Sequence, residues 1–476
     1  MFRSGNQIFT LIKFCNAKLV YIWGTSKEFT KFKQKVLSVY TTKQLQRKAY
    51  EVGFYKRSSK LLPSQFFDIL LYAASINGPC SLVRSSCEIA QNHGISISKQ
   101  GLDDRFNDTA VAFMRSIFEE QLSKQIQGTV NAGFLRKFSR VRIKDATRFD
   151  LPKRLKDYFP GFGGKLTSEA AGCIQCEFDI KTNKILDISF TSAKRTDYED
   201  AREKMMDIEK NDLIIRDLGY FSTDVIKHII KQKAYYISRL HSKILIYHTD
   251  KKTELFFSDL YNSMQKKKQT HTELQVCIGK DEKLPVRLII DLMPDEVYKN
   301  RLLKAEKEAR KKGHQVSMEF KARAHFNLLI TNIPDEITPS EQVYQLYKIR
   351  WQIELIFKIW KSTYGINKLH PMRYERFMCL LYSKFIMILI NTQLINLLQP
   401  RLYRKHRKLL SKDKCFKTLS IYFHRTRQVL FNPGYHLVNY LKTISIILSQ
   451  NHWLEKRKKR LSYVDIFTLN ICLSNY

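Results

Sequence analysis

Tyr347, Arg350, Glu354, Lys358 and Lys361 follow one another at intervals of three, four, four and three residues. On a helix that spacing puts all five on one face, a single carboxylate among three cations and a phenol. Leu346, Ile349, Ile353, Phe357 and Trp360 repeat the period one position earlier, so an apolar stripe can pack while the polar face looks into a groove. Two more carboxylates, Asp145 and Asp217, fall at the ends of predicted strands. Carboxylate oxygens suit hard cations, and two Mg²⁺ ions held by Asp145, Asp217 and Glu354 could activate a water or a DNA 3′ hydroxyl and stabilise the displaced oxygen in phosphodiester chemistry. Lys and Arg would then hold phosphates without being metal ligands, and the Tyr347 hydroxyl would orient one of them. Each acid also has a structural reading: Asp145 as a turn or Asx cap, Asp217 as a helix cap, Glu354 as an ion-pair partner of Arg350 or Lys358. Among 45 acidic residues, three taken alone do not choose between the readings.

The elements that must position these side chains are legible from periodicity. Val141, Ile143 and Asp145 share one face of a strand. Ile174, Cys176 and Phe178 form a second alternating run and Leu186, Ile188 and Phe190 a third, with Thr182-Asn183 as a hairpin connection. Asp197 to Ile208 reads as a crossover helix, Leu213 to Ile215 as a buried strand ending near Asp217, Thr223 to Lys233 as a helix, and Ala234 to Leu240 as a strand. Between 245 and 320, Glu254 to Phe257, Leu274 to Ile278 and Val286 to Leu292 are strand-like and Val297 to Gly313 is a charged helix. The sheet resumes near His325 to Thr331, and a helix begins near Glu341. Upstream, Leu61 to Ala74, Leu82 to Gln91 and Ser96 to Phe106 have helix-turn-helix spacing and would present Ser98, Lys99, Asp103 and Arg105, a spacing that small helical bundles share.

Composition bounds the class. The 476 residues correspond to roughly three units of about 150 residues. Eighty-two Lys and Arg against 45 Asp and Glu leave a charge of +37, which attracts polyanions through counterion release, nucleic acid first among them. Apolar residues at 44% permit a packed core and argue against global disorder. Nine dispersed cysteines do not form a secreted disulfide framework, and Cys173 and Cys176 read as buried thiols before a zinc pair. Met1 to Val20 lacks the apolar run and cleavage site of an export signal. Phe377 to Leu398 is the longest apolar stretch, but Lys384, Asn391 and Gln393 interrupt it, so a buried helix packed through Leu381, Phe385, Ile388 and Thr392 is expected in place of a membrane span. Basic runs at Arg401 to Lys408 and Lys456 to Arg460 are candidate DNA-backbone surfaces or solvated helix faces.

The Tyr-x2-Arg-x3-Glu-x6-Lys pattern of Tyr347, Arg350, Glu354 and Lys361, preceded in order by Asp145-Ala146-Thr147 and Asp217-Leu218-Gly219-Tyr220, resembles the DDE transposases of bacterial insertion sequences, in particular the insertion sequence 4 superfamily. The likeness covers about residues 65 to 400, with Leu218 departing from the usual basic residue beside the second acid. It implies an α/β fold: a ribonuclease H-like catalytic core (136–244 and 321–400) interrupted by a mainly β insertion (245–320) and flanked by a helical DNA-binding region (1–135) and a basic helical region (401–476). It also implies Asp145, Asp217 and Glu354 as ligands of two Mg²⁺ ions, with Mn²⁺ an alternative, and Tyr347, Arg350 and Lys361, joined by Lys358 on the same face, as phosphate contacts. The partners it implies are double-stranded transposon ends and target DNA, bound by a homodimer in the bacterial cytoplasm at the nucleoid, with no membrane partner. A metal-dependent nuclease without strand transfer and an inactive DNA-binding descendant remain as alternatives. Relatives that form a hairpin intermediate stack a flipped base on a Trp of the insertion. This chain has Trp only at 23, 351, 360 and 453, leaving Tyr298, Phe256 or Phe257 as candidates for that contact.

Overall fold

The computed structural model describes residues 27–455 except 58, 77, 128–132, 165–167, 243, 369 and 432. Met1 to Val20, read as lacking an export signal, and the basic run Lys456 to Arg460 lie outside the described residues. The chain folds as two compact units, one of Met1–Ala132, Thr147–Lys194 and Glu354–Tyr476, the other of Gly133–Ala146 and Arg195–Ile353.

The first unit is mainly helical. Its axis is the helix Tyr374–His406, which packs along the helices Asp108–Ser123 and Pro63–Ser75. It is long and apolar enough to cross a membrane, yet 94% of its most apolar window is buried inside the protein. The expected single packed face is replaced by burial around nearly the whole circumference from Phe377 to Leu398, because neighbours cover it from several sides. Its polar interruptions are internal ties. Lys384 Nζ donates to the Tyr364 carbonyl at 2.7 Å, Asn391 Nδ2 to the Tyr364 hydroxyl at 2.7 Å, Gln393 Oε1 accepts the Ile126 N–H at 3.2 Å, and Asn396 Nδ2 donates to the Ile126 carbonyl at 3.0 Å. Each satisfies a group that burial would otherwise strand.

Burial also holds the Lys384 ammonium down to about 8, against the usual 10.5. The unfolded chain therefore binds more protons between those values, and stability rises with pH through that window. Lys384→Met is expected to flatten the rise by up to about 1.4 kcal/mol per pH unit, read from urea midpoints at pH 8 and 10. Lys412, held near 8 by the same cause, adds a slope of the same sign.

In the same unit the predicted hairpin forms. Strand β1, Val141–Asp150, continues into this unit from Thr147, and β2, Ala171–Asp179, pairs antiparallel with β3, Lys184–Ser192. Asp179 closes the turn by accepting from the Lys181 and Thr182 amides, and Asn183 takes the left-handed conformation at φ 55° that Asn tolerates. Gly172 is required where it stands, since a Cβ there would lie 2.4 Å from the Phe190 ring. Cys173 and Cys176 are fully buried on β2.

Of the helix-turn-helix reading, Pro63–Ser75 and Leu82–His93 form, but the third element is only the five-residue helix Lys99–Asp103. Ser98 caps its start through the Gly101 amide at 3.0 Å, and Asn107 caps the next helix through the Ala110 amide at 3.0 Å.

The second unit is built on a mixed sheet. Its strands are β1 up to Ala146, β4 Leu213–Arg216, β5 Tyr235–Arg239, β6 Ile246–Tyr247, β7 His271–Ile278, β8 Leu284–Leu292 and β9 Phe326–Thr331, in the order β1-β4-β5-β9-β8-β7-β6. The pairs β1/β4 and β4/β5 are parallel and the others antiparallel. The helix Thr223–Lys231 makes the crossover from β4 to β5, which parallel strands require. Ile214, Tyr236, Leu288, Ile290 and Ile330 join one apolar cluster in this unit. The 245–320 segment extends the same sheet through β6 to β8 and contributes the helices Phe257–Lys266 and Asp295–Lys311. Phe257 opens a helix where a strand was expected, because Glu319 Oε1 accepts its amide at 2.7 Å and satisfies a donor that helix starts leave free.

Candidate active site

Asp145 and Asp217 both belong to the second unit. The parallel register runs from Val141 opposite Leu213 to Lys144 opposite Arg216, so Asp145 and Asp217 each directly follow the last paired residues of two strands that neighbour at about 4.8 Å. Asp145 was expected at a strand end. It stands instead in the middle of β1, at the point where β4 stops. The strand runs on to Asp150, and what ends before Asp145 is its pairing with β4. Carboxyl ends of parallel strands are where open α/β sheets place ligands.

Two residues of the 347–361 pattern reach these acids. The Tyr347 hydroxyl donates to Asp217 Oδ1 at 3.3 Å, and Arg350 Nη1 donates to Asp145 Oδ2 at 3.1 Å. Asp145 Oδ1 also accepts the amide of the next residue, Ala146, at 2.8 Å. Asp217 precedes the short 3₁₀ turn Leu218–Tyr220 without making a side-chain cap bond. Burial, opposed by Arg239 and Arg350 and reinforced by Asp217, pushes the Tyr347 phenol up to about 12, so at neutral pH it is a donor.

The single helix expected over 347–361 is two helices, Ser340–Lys348 and Trp351–Thr363, joined by a turn at Ile349-Arg350. Tight i to i−3 hydrogen bonds mark the break: Arg350 N to Tyr347 O at 3.1 Å and Ile353 N to Arg350 O at 3.1 Å. Tyr347 is therefore buried at 6% exposure and not on a solvent face. The apolar stripe is as expected, with Leu346, Ile349, Ile353, Phe357 and Trp360 all buried.

Glu354, Lys358 and Lys361 fall in the first unit, on one face of Trp351–Thr363 by spacing. Glu354 is half-buried, Lys358 exposed, and Lys361 half-buried with its Nζ donating to the Arg148 carbonyl at 3.2 Å. Among the described residues no three His, Cys, Asp or Glu stand together as a metal cluster. The pair Asp145 and Asp217 offers the carboxylate oxygens that suit a hard divalent cation.

Several supports were not read from the sequence. Arg287, at 3% exposure, ties β8 to the stretch before Ser340–Lys348 through the Ile333 and Thr338 carbonyls at 3.0 and 2.8 Å and Asp335 at 2.7 Å, fixing the helix that carries Tyr347. Arg239, at the exposed end of β5, lies over the Tyr347 ring at 5.6 Å, within cation–π range. Its signal was a cation ending the strand beside that of Asp217. Gly219 is needed in the turn after Asp217, because a Cβ there would stand 2.9 Å from Asp197 Oδ2. Of the stacking candidates, Tyr298 lies against His325 at 3.6 Å and Phe257 is buried, while Phe256 is 48% exposed. Arg404, Lys405, Arg407 and Lys408 are exposed at the end of Tyr374–His406, where cations also complement a helix C-terminus.

Residues 136–390 match the transposase DDE domain family. The chain belongs to the DDE transposases. It is 30% identical over 456 residues to the transposase for insertion sequence element IS231B of Bacillus thuringiensis subsp. berliner, covering 92% of this chain and 95% of that relative. It is 31% identical to that of IS231D from Bacillus thuringiensis subsp. finitimus, over 81% and 84% of the two chains, and 28% identical to that of IS1151 from Clostridium perfringens, over 90% and 92%. The family match spans Asp145, Asp217 and the whole 347–361 pattern, and the IS231-type relatives agree with the insertion-sequence resemblance. The second unit supplies the mixed α/β core expected of the fold, a central sheet flanked by helices.

Proposed function

We propose that this DDE transposase is a cut-and-paste enzyme with a ribonuclease H-like core. It binds double-stranded ends of its own element as a homodimer at the nucleoid, cleaves them, and joins the 3′ ends to target DNA. The observation that carries the reading is the register that aligns Asp145 with Asp217, each touched by a residue of the Tyr-Arg-Glu-Lys pattern. Asp145 and Asp217 would hold the divalent cations, with Glu354 as third ligand on the sequence pattern. Bound Mg²⁺ or Mn²⁺ would lower the pKa of the attacking water or 3′ hydroxyl and neutralise charge on the scissile phosphate.

The chain's own residues have separate tasks. Arg350, ion-paired with Asp145, offsets its negative charge before cations arrive, and its planar fork suits a phosphate equally well. Tyr347, protonated at neutral pH, orients Asp217 and offers a donor to a phosphate oxygen. Lys358 and Lys361 provide the positive face for the backbone, which positions DNA without reading its sequence.

The test uses the full chain, the DNA ends flanking its gene, a target plasmid and Mg²⁺. Joined products that disappear on chelation support the reading. Broken ends without joining would identify the nuclease alternative, and neither product would identify the inactive one. End binding should fall by roughly 10³- to 10⁵-fold between 50 and 200 mM salt if six to ten phosphates are contacted. A flat titration would contradict the phosphate contacts.

A further inference from the structure

A cleft of about 380 Å³ opens in the second unit beside Leu218, the residue after Asp217. Arg239, Arg301, Lys304 and Arg323 line it against one carboxylate, Glu308. None of the four cations makes a carboxylate ion pair among the described residues, an unusual state for charges brought together on one wall. Arg301 Nη1 and Arg323 Nη2 are anchored by the Phe326 and Leu240 carbonyls at 2.7 and 2.6 Å, so the guanidinium groups are held in place by neutral acceptors. Arg323 Nη1 and the Nδ2 of Asn327, a lining residue at 7% exposure, find no acceptor in the protein. Burial lowers the pKa of Arg301, and the like charge of Arg239 lowers it further, the repulsion that an anion would relieve.

We propose that this cleft is a phosphate-binding subsite, built by Arg301, Lys304 and Arg323 and separate from the Tyr347, Arg350, Lys358 and Lys361 set. It rests on the reading of the chain as a DNA enzyme and extends it: a phosphate of the bound strand enters beside the second acidic turn and neutralises the cationic wall. The volume is in the range of small-molecule sites and admits a nucleotide unit as well as a bare phosphate group. A free nucleotide presents the same chemistry as a strand.

The test measures anisotropy of a labelled 20-base-pair duplex with the full chain in EDTA, across salt, and calorimetric binding of thymidine monophosphate. Lys304→Gln and Arg301→Gln should each weaken duplex binding by roughly three- to tenfold and reduce the salt slope by about one. Lys307→Gln, on the same helix but outside the cleft, should change neither. Loss of thymidine monophosphate binding with an unchanged duplex slope would keep the phosphate site and assign it to free nucleotides. Variants at 301 and 304 that match Lys307→Gln on both probes overturn the proposal. Lys304 is exposed, so its variant reports binding without a folding defect, and equal thermal unfolding of all three proteins checks this. Asp217→Asn separates the two readings: if it still joins DNA ends, the assigned chemistry fails while the cleft stands on its own result.

Discussion

Asp217→Asn is expected to reduce cleavage of element ends by at least about 10³-fold, with end binding in EDTA within about threefold of the unaltered chain. That loss corresponds to about 4 kcal/mol of transition-state stabilisation, the several kcal/mol expected when a group that positions a catalytic cation is removed. The substitution is isosteric, keeps an acceptor for the Tyr347 hydroxyl, and removes one charge. Asp145→Asn and Glu354→Gln should behave alike, because a constellation that acts as a unit fails with any member. Tyr347→Phe, which removes a donor and no ligand, should cost far less. Gel analysis of end cleavage checks all four against unfolding curves. Glu354→Gln with cleavage near the original rate would remove Glu354 from the site, whatever the two aspartates do.

The largest expected effect on stability lies in the helical unit. Arg427 donates through Nε and Nη2 to the two oxygens of Asp68 at 2.8 and 3.0 Å, and through Nη1 to Glu88 at 3.2 Å, with His93 on Asp68 Oδ2 at 3.0 Å. The Arg427 and Asp68 side chains are 10% and 8% exposed, and the bond joins residues 359 apart in sequence. Burial raises the Asp68 pKa, but hydrogen bonds and charge from His93 and Arg427 outweigh it and leave the value lowered. The stabilisation is therefore present above the usual carboxylate range and is lost as pH falls through the lowered value. Arg427→Met should destabilise by about 3 to 5 kcal/mol, because it leaves a buried carboxylate without its main partner. Asp68→Leu combined with Arg427→Met should recover much of that loss, since neither charge then stays buried. Urea unfolding of both variants decides it. A single substitution costing under about 1 kcal/mol would mean that water or Glu88 and His93 suffice.

The β2–β3 hairpin, the helix Thr223–Lys231 and the apolar stripe ending at Trp360 could be read directly, because alternation, helical period and turn chemistry are local properties of the chain. The helix read over Asp197 to Ile208 stops at Glu203 and gives way to a 3₁₀ turn. Reading failed where a neighbour intervened. The 347–361 stretch has an unbroken helical period, yet it breaks at Ile349-Arg350, and this turns Tyr347 inward toward Asp217. Lys384, Asn391 and Gln393 looked like flaws in an apolar run and are ties to backbone and side chains distant in sequence. Arg239, Arg301 and Arg323 lie 62 and 22 residues apart, so no spacing rule joins them in one cleft.

From its sequence alone this protein has its family, its strongly basic character, the order of its three acids and the run of elements that carries them. The tertiary structure decided that Asp145 and Asp217 are register neighbours, which cation faces which carboxylate, and where unpaired cations collect. The physical reason is one of range: side-chain period and turn chemistry act over a few residues, whereas strand register and buried charge pairing depend on segments hundreds of residues apart meeting in a low-dielectric interior.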